Sequence, residues 1–120
     1  MLLFPPPGIQ APINLEDVLI TVWVYAPGGA AGDPNRPNGV QVFVKDQNWL
    51  SEYGAWFNLS GYTDRWIPIT LTPSRQPPPG VYMDAGFDPS NIIVVGVKIG
   101  AGTNSEATYS GPIYIDGVTW

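Results

Sequence analysis

The sequence predicts an all-β fold, a jelly-roll β-sandwich of two antiparallel sheets, on three observations. Every longer apolar run alternates with a period of two, the pattern of a strand with one face in the core. Fourteen Gly and fourteen Pro in 120 residues, with no repeat period, put a turn signal into nearly every gap and exclude collagen. No stretch longer than about ten residues joins apolar residues at three-four spacing with freedom from Pro and Gly, the least that a packed helix requires.

Taken in order, "MLLFPPPG" is apolar for four residues before its prolines, too short for a signal peptide or a membrane helix. Residues 1–12 are expected to be a tail or linker, and residues 13–120 the folded module. The run "DVLITVWVYAP" sets Val18, Ile20, Val22 and Val24 against Leu19, Thr21, Trp23 and Tyr25, and Pro-Gly-Gly closes it. After the surface loop "GGAAGDPNRPNG", Val40, Val42 and Val44 alternate with Gln41, Phe43 and Lys45. "GAWFNLS" places Ala55, Phe57 and Leu59 opposite Trp56 and Asn58. "RWIPITLTP" places Ile67, Ile69 and Leu71 opposite Trp66, Pro68 and Thr70, and a proline inside the run marks an edge strand or a bulge. A second "PPPG" at residues 77–80 is a stiff connector. Then Ile93, Val95, Val97 and Ile99 alternate with Val94, Gly96 and Lys98, and Ile113, Ile115 and Gly117 with Tyr114, Asp116 and Val118.

Composition narrows the chemistry. The net charge of −5, with basic residues scattered at Arg36, Lys45, Arg65, Arg75 and Lys98, argues against a polyanion partner such as nucleic acid or an anionic membrane and favours a neutral ligand. With no Cys and no His there is no disulfide, no thiolate zinc site and no cysteine nucleophile, and the usual general base is missing. A catalytic reading has to use carboxylates. Glu52 and Asp46, flanking Trp49, are the acids nearest the aromatic residues; a small glycoside hydrolase built on them is one alternative function, and a structural or assembly domain of a multidomain enzyme is another.

Three stretches, "LITVWVYAP", "GVQVFVKDQNWLSEYGAWFNL" and "NIIVVGVKIGAGTNSEATYSGPIYIDGVTW", together resemble the β-jelly-roll carbohydrate-binding modules attached to bacterial glycoside hydrolases that act on plant β-glycans, the mannanases and endoglucanases especially. The resemblance covers about residues 13–120, with Lys98 where the modules often carry Gln and Gly117 where they often carry Asn. It implies non-catalytic binding of cell-wall β-glycans, β-1,4-glucan or β-mannan, by an extracellular module that targets a parent glycoside hydrolase to its substrate. Such modules have further strands upstream. Here the sheet edge left open is expected to be covered by "MLLF" or by a second copy in a homodimer, and association is the favoured expectation.

The residues themselves supply a candidate site. Trp23, Tyr25, Trp49, Tyr53, Trp56 and Trp66 fall outside the predicted core, and an indole or phenol plane buries the C–H face of a sugar ring. Each ring has a second reading as core packing. Gln41, Lys45 and Lys98 lie opposite the valines of their strands, where Trp23 is expected to join them; amide and ammonium groups there meet sugar hydroxyls, or simply water. The expected ligand set is therefore Trp23, Gln41, Lys45, Trp49, Tyr53, Trp56 and Lys98. In the resembling modules the aspartate equivalent to Asp116 contributes to a structural calcium (Ca2+) site, for which Glu16 and Asp17 would be helpers; the alternative is an aspartate that bonds backbone amides at a bulge.

Overall fold

The computed structural model describes residues 2–4, 11–33, 35, 37–100 and 111–120. Among them the chain forms strands and no helix: β1 (Leu2–Phe4), β2 (Ile20–Tyr25), β3 (Gly39–Asp46), β4 (Ser51–Tyr53), β5 (Phe57–Asn58), β6 (Trp66–Leu71), β7 (Tyr82–Met83), β8 (Ile92–Gly100) and β9 (Tyr114–Thr119). They make two antiparallel sheets. One runs β1-β8-β3-β4-β7 with β5 also paired to β3, and the other runs β6-β2-β9.

Alternation decides which side chains go inside. In β6, Ile67, Ile69 and Leu71 are buried while Trp66, Pro68 and Thr70 are exposed. Pro68 cannot donate to a ladder, and among the described residues β6 is an edge strand that pairs only with β2. In β2, Ile20, Val22 and Val24 are fully buried and Trp23 points outward. The inner faces of both sheets meet in one core that includes Ile20, Val22 and Val24 from β2, Val40, Val42 and Val44 from β3, and Val95 and Val97 from β8. Burying each such side chain contributes about 1.5–3 kcal/mol, and truncating Leu59, wholly enclosed beside them, to Ala would cost about 2–5 kcal/mol.

β8 departs from strict alternation. Ile92, Val94, Val95, Gly96 and Val97 are all buried, and the strand is paired along one edge with β3 and, at Val95, Gly96 and Val97, along the other with β1. Its partner β1 comes from the stretch read as a tail: Leu2, Leu3 and Phe4 register with Val97, Gly96 and Val95. Of the two covers offered by the sequence for an open edge, the chain's own N-terminal segment thus occupies the outer side of β8.

The hairpin joining β3 to β4 is organised by Asp46. Its Oδ1 accepts hydrogen bonds from the amides of Asn48 (2.9 Å) and Leu50 (3.0 Å), and its Oδ2 accepts one from the amide of Asp88 (2.9 Å), tying two loops together. Within this turn Trp49 has φ of 67°, left-handed backbone that normally goes to Gly or Asn. β9 carries the second irregularity: its register with β2 shifts between Thr21 and Trp23, and Gly117 at the bulge has φ of 61°. The extra residue turns Val118 inward with Ile115, although strict alternation had grouped it with Asp116.

Candidate functional site

The outer face of the six-stranded sheet gathers most of the expected ligand residues. Gln41 stands opposite Lys98 across the β3–β8 ladder, and Phe43 opposite Tyr53 across β3–β4. Tyr53 in turn registers with Tyr82. Cross-strand partners share a face, so all five side chains project from the side away from the valine core. Gln41, Tyr53, Tyr82 and Lys98 line an open depression of about 370 Å3. Its floor is aromatic: the Tyr53 ring stacks on Phe43 at 5.3 Å between centroids and 28° between planes, and Phe43 beneath it is fully buried.

Polar groups around this floor are held in place. Gln41 Nε2 donates to the Gly54 carbonyl at 2.9 Å, so Oε1 is the atom the amide offers to a hydroxyl. Lys98 Nζ sits 5.7 Å from the Tyr53 ring centroid, and the aliphatic part of the side chain keeps the ammonium at the surface. The Tyr82 hydroxyl bonds Asp84, and that hydrogen bond, with the carboxylate's charge behind it, raises the phenol above its ordinary pKa.

Two tryptophans bracket the depression. Trp56 is half-buried and lies over the Gly39–Gly100 pair: a Cβ added at Gly39 would come within 2.4 Å of the indole, and one at Gly100 within 3.9 Å. Its Nε1 donates to Asn58 Oδ1 at 3.0 Å. At the other end Trp49 is 58 % exposed, and Lys45 Nζ lies 4.9 Å from its ring while donating to Ser51 Oγ. Gly39 and Lys45 are six positions apart on β3, which sets the track between the two indoles at about 20 Å.

One expected member is elsewhere. Trp23 does not share this face, because β2 pairs with β6 and β9 and not with β3 or β8; its ring projects from the outer side of the three-stranded sheet, across the core from Gln41 and Lys98. Alternation specifies the face of a strand but not the sheet that the strand joins. Tyr82 was missed for the opposite reason: "VYM" between Gly80 and Asp84 is too short to display a period, and only its turn-flanked position signals a strand.

The carboxylates take structural positions. Asp46 and Glu52 are both fully buried, so neither meets a ligand on the Tyr53–Lys98 face as a hydrolytic pair would have to. Glu52 registers with Val44 on the core side, and its two oxygens share the Ser74 amide at 3.2 Å each. Burial pushes its pKa up to about 7, against the opposing effect of that hydrogen bond. Asp116 is exposed, and its Oδ1 accepts the Gly117 amide at 2.8 Å, the bulge arrangement that the sequence left open. Glu16 is engaged by Arg75 at 2.9 Å, and among the described residues no three acidic side chains converge as a cation cage would require.

Comparison with protein-family models, with curated proteins and with solved structures finds no match to this chain.

Proposed function

We propose that the outer face of the six-stranded sheet binds a β-linked plant cell-wall polysaccharide, β-1,4-glucan or β-mannan, without cleaving it. The observation that carries this reading is the depression formed by Gln41, Tyr53, Tyr82 and Lys98, set between the two tryptophans Trp49 and Trp56. A phenol floor receives the C–H face of a pyranose, while the amide and the ammonium receive its hydroxyls. An open, elongated track suits the interior of a polymer better than a small molecule, which needs a site that surrounds it. In this reading the chain is a jelly-roll-type module that holds an attached, extracellular glycoside hydrolase at its substrate.

Affinity electrophoresis against a panel of soluble polysaccharides tests the proposal. Retardation by a β-glucan or β-mannan is expected, with no reducing sugar released. Migration unchanged by every glycan in the panel would overturn it.

A further inference from the structure

The outer face of the three-stranded sheet is ordered in rows by its register. Trp66, Tyr25 and Tyr114 stand side by side in the first row. Pro68, Trp23 and Asp116 form the second, and Thr70, Thr21 and Thr119 the third. The face thus grades from all-aromatic at one end to all-hydroxyl at the other. Trp23, Trp66 and Tyr114 are 41 %, 46 % and 51 % exposed. Tyr25 ties the first row together, 5.6 Å from Trp66 and 6.1 Å from Tyr114 between ring centroids. What singles the face out is the order of its rings in one contiguous row rather than its area.

Size and charge identify the occupant. Three strands about 4.8 Å apart and six residues long present roughly 14 by 20 Å, on the order of 300 Å2. A stable protein interface takes about 800 Å2 from each partner, so this face alone is too small for a second copy or another domain. Among the described residues its rows hold no cation, and their one carboxylate, Asp116, is tied to the Gly117 amide. A neutral polyol chain fits what remains: ring planes for its C–H faces and, next to them, threonine hydroxyls that donate and accept.

We propose that this face is a second saccharide-binding surface for a neutral β-linked glycan, on the side of the molecule opposite the Tyr53–Lys98 depression, so that one chain grips two polysaccharide strands at once. The ligand class rests on the function proposed above; the existence of a second face rests on the Trp66–Tyr25–Tyr114 row.

The test uses two variants: Tyr53→Ala with Lys98→Met, which disables the depression, and Trp66→Ala with Tyr114→Ala, which strips the two edge strands of their exposed rings. Thermal melting verifies that both fold. With the glycan that retards the native chain, the depression variant is expected to remain retarded, about tenfold more weakly. Combining all four substitutions is expected to abolish retardation. Only the native chain should cross-link the soluble glycan into a turbid network, since that needs both faces. If the depression variant migrates as in a glycan-free gel while the native chain is retarded, the second face is overturned and the first stands. A native chain retarded by no glycan overturns both. Concentration-dependent dimerisation that disappears in Trp66→Ala with Tyr114→Ala would assign the face to self-association and overturn its saccharide role.

Discussion

Lys45 Nζ lies 4.9 Å from the centre of the Trp49 ring and at the same time donates a 2.7 Å hydrogen bond to Ser51 Oγ. One ammonium thereby joins the stem of the β3–β4 hairpin to its tip and holds an exposed indole on a left-handed backbone. A non-glycine residue in that conformation costs about 1–2 kcal/mol, and such strain persists where the side chain is needed. Replacement by glycine separates the two effects. Trp49→Gly is expected to leave stability within about 1 kcal/mol of the native value, as relief of strain offsets the lost cation–π contact, while glycan affinity falls about tenfold. Denaturant unfolding and affinity electrophoresis on the same sample read the two outcomes; a large loss of stability would show that the indole serves the fold.

Glu52 makes the fold sensitive to pH in an unusual sense. Its folded pKa of about 7 lies above the ordinary 4.5, so the folded state holds the proton more tightly than the unfolded chain. The associated stability is complete below about pH 4.5, declines as pH rises through 7, and is absent above it. At about 1.4 kcal/mol per pH unit the range amounts to about 3 kcal/mol. The melting temperature should therefore fall between pH 5 and 8, and Glu52→Gln, which keeps an acceptor for the Ser74 amide, should flatten that slope and raise stability at pH 8. A native profile that rises across this interval would contradict the assignment.

Lys98 gives the depression an exposed cation, paired across the ladder with the fixed amide of Gln41. Lys98→Met preserves the stem over Tyr53 and removes only the charge and its donors. Affinity for the preferred glycan should drop about tenfold with the melting temperature unchanged, since hydrogen bonds to charged groups contribute about 1.5–3 kcal/mol. Titration calorimetry measures this directly; undiminished affinity would remove Lys98 from the site.

Gly39 is required by close approach. An added Cβ would lie 2.4 Å from the Trp56 indole and 2.6 Å from the Phe57 carbonyl oxygen, and the latter is backbone that cannot turn aside. Gly39→Ala should destabilise the chain by about 1–3 kcal/mol and displace Trp56 from the end of the track. A fully native melting temperature would show that the β3–β5 pairing is looser than drawn here.

The sequence was most legible where a strand has one dry face and one wet face. Ile67, Ile69 and Leu71 could be placed inward and Trp66, Pro68 and Thr70 outward from period alone, and of the edge or bulge that Pro68 signalled, the described residues form the edge. Gln41 and Lys98 were legible as a group because they oppose the valines of β3 and β8. Trp23 was not, since sheet membership depends on pairing with residues more than forty positions away in β6 and β9. Phe43 looked exposed by parity, yet Tyr53 lies over it, and that cover comes from another strand. Nothing in the residue types of the hairpin tip announced the backbone of Trp49, where Gly or Asn would have been the local signal.

The bulge at Gly117 changes the parity of β9. Before it, even-numbered positions such as Tyr114 and Asp116 face outward; after it, odd-numbered Thr119 does, and even-numbered Val118 turns toward the core. The strand is therefore written in two phases joined by one residue without a side chain, and both phases place polar or aromatic groups on the same outer surface. Straightening the strand with Gly117 kept in the alternation would force a choice: either Val118 leaves the core or Asp116 and Tyr114 enter it. The outer rows exist as a continuous surface only because one residue is counted out of turn.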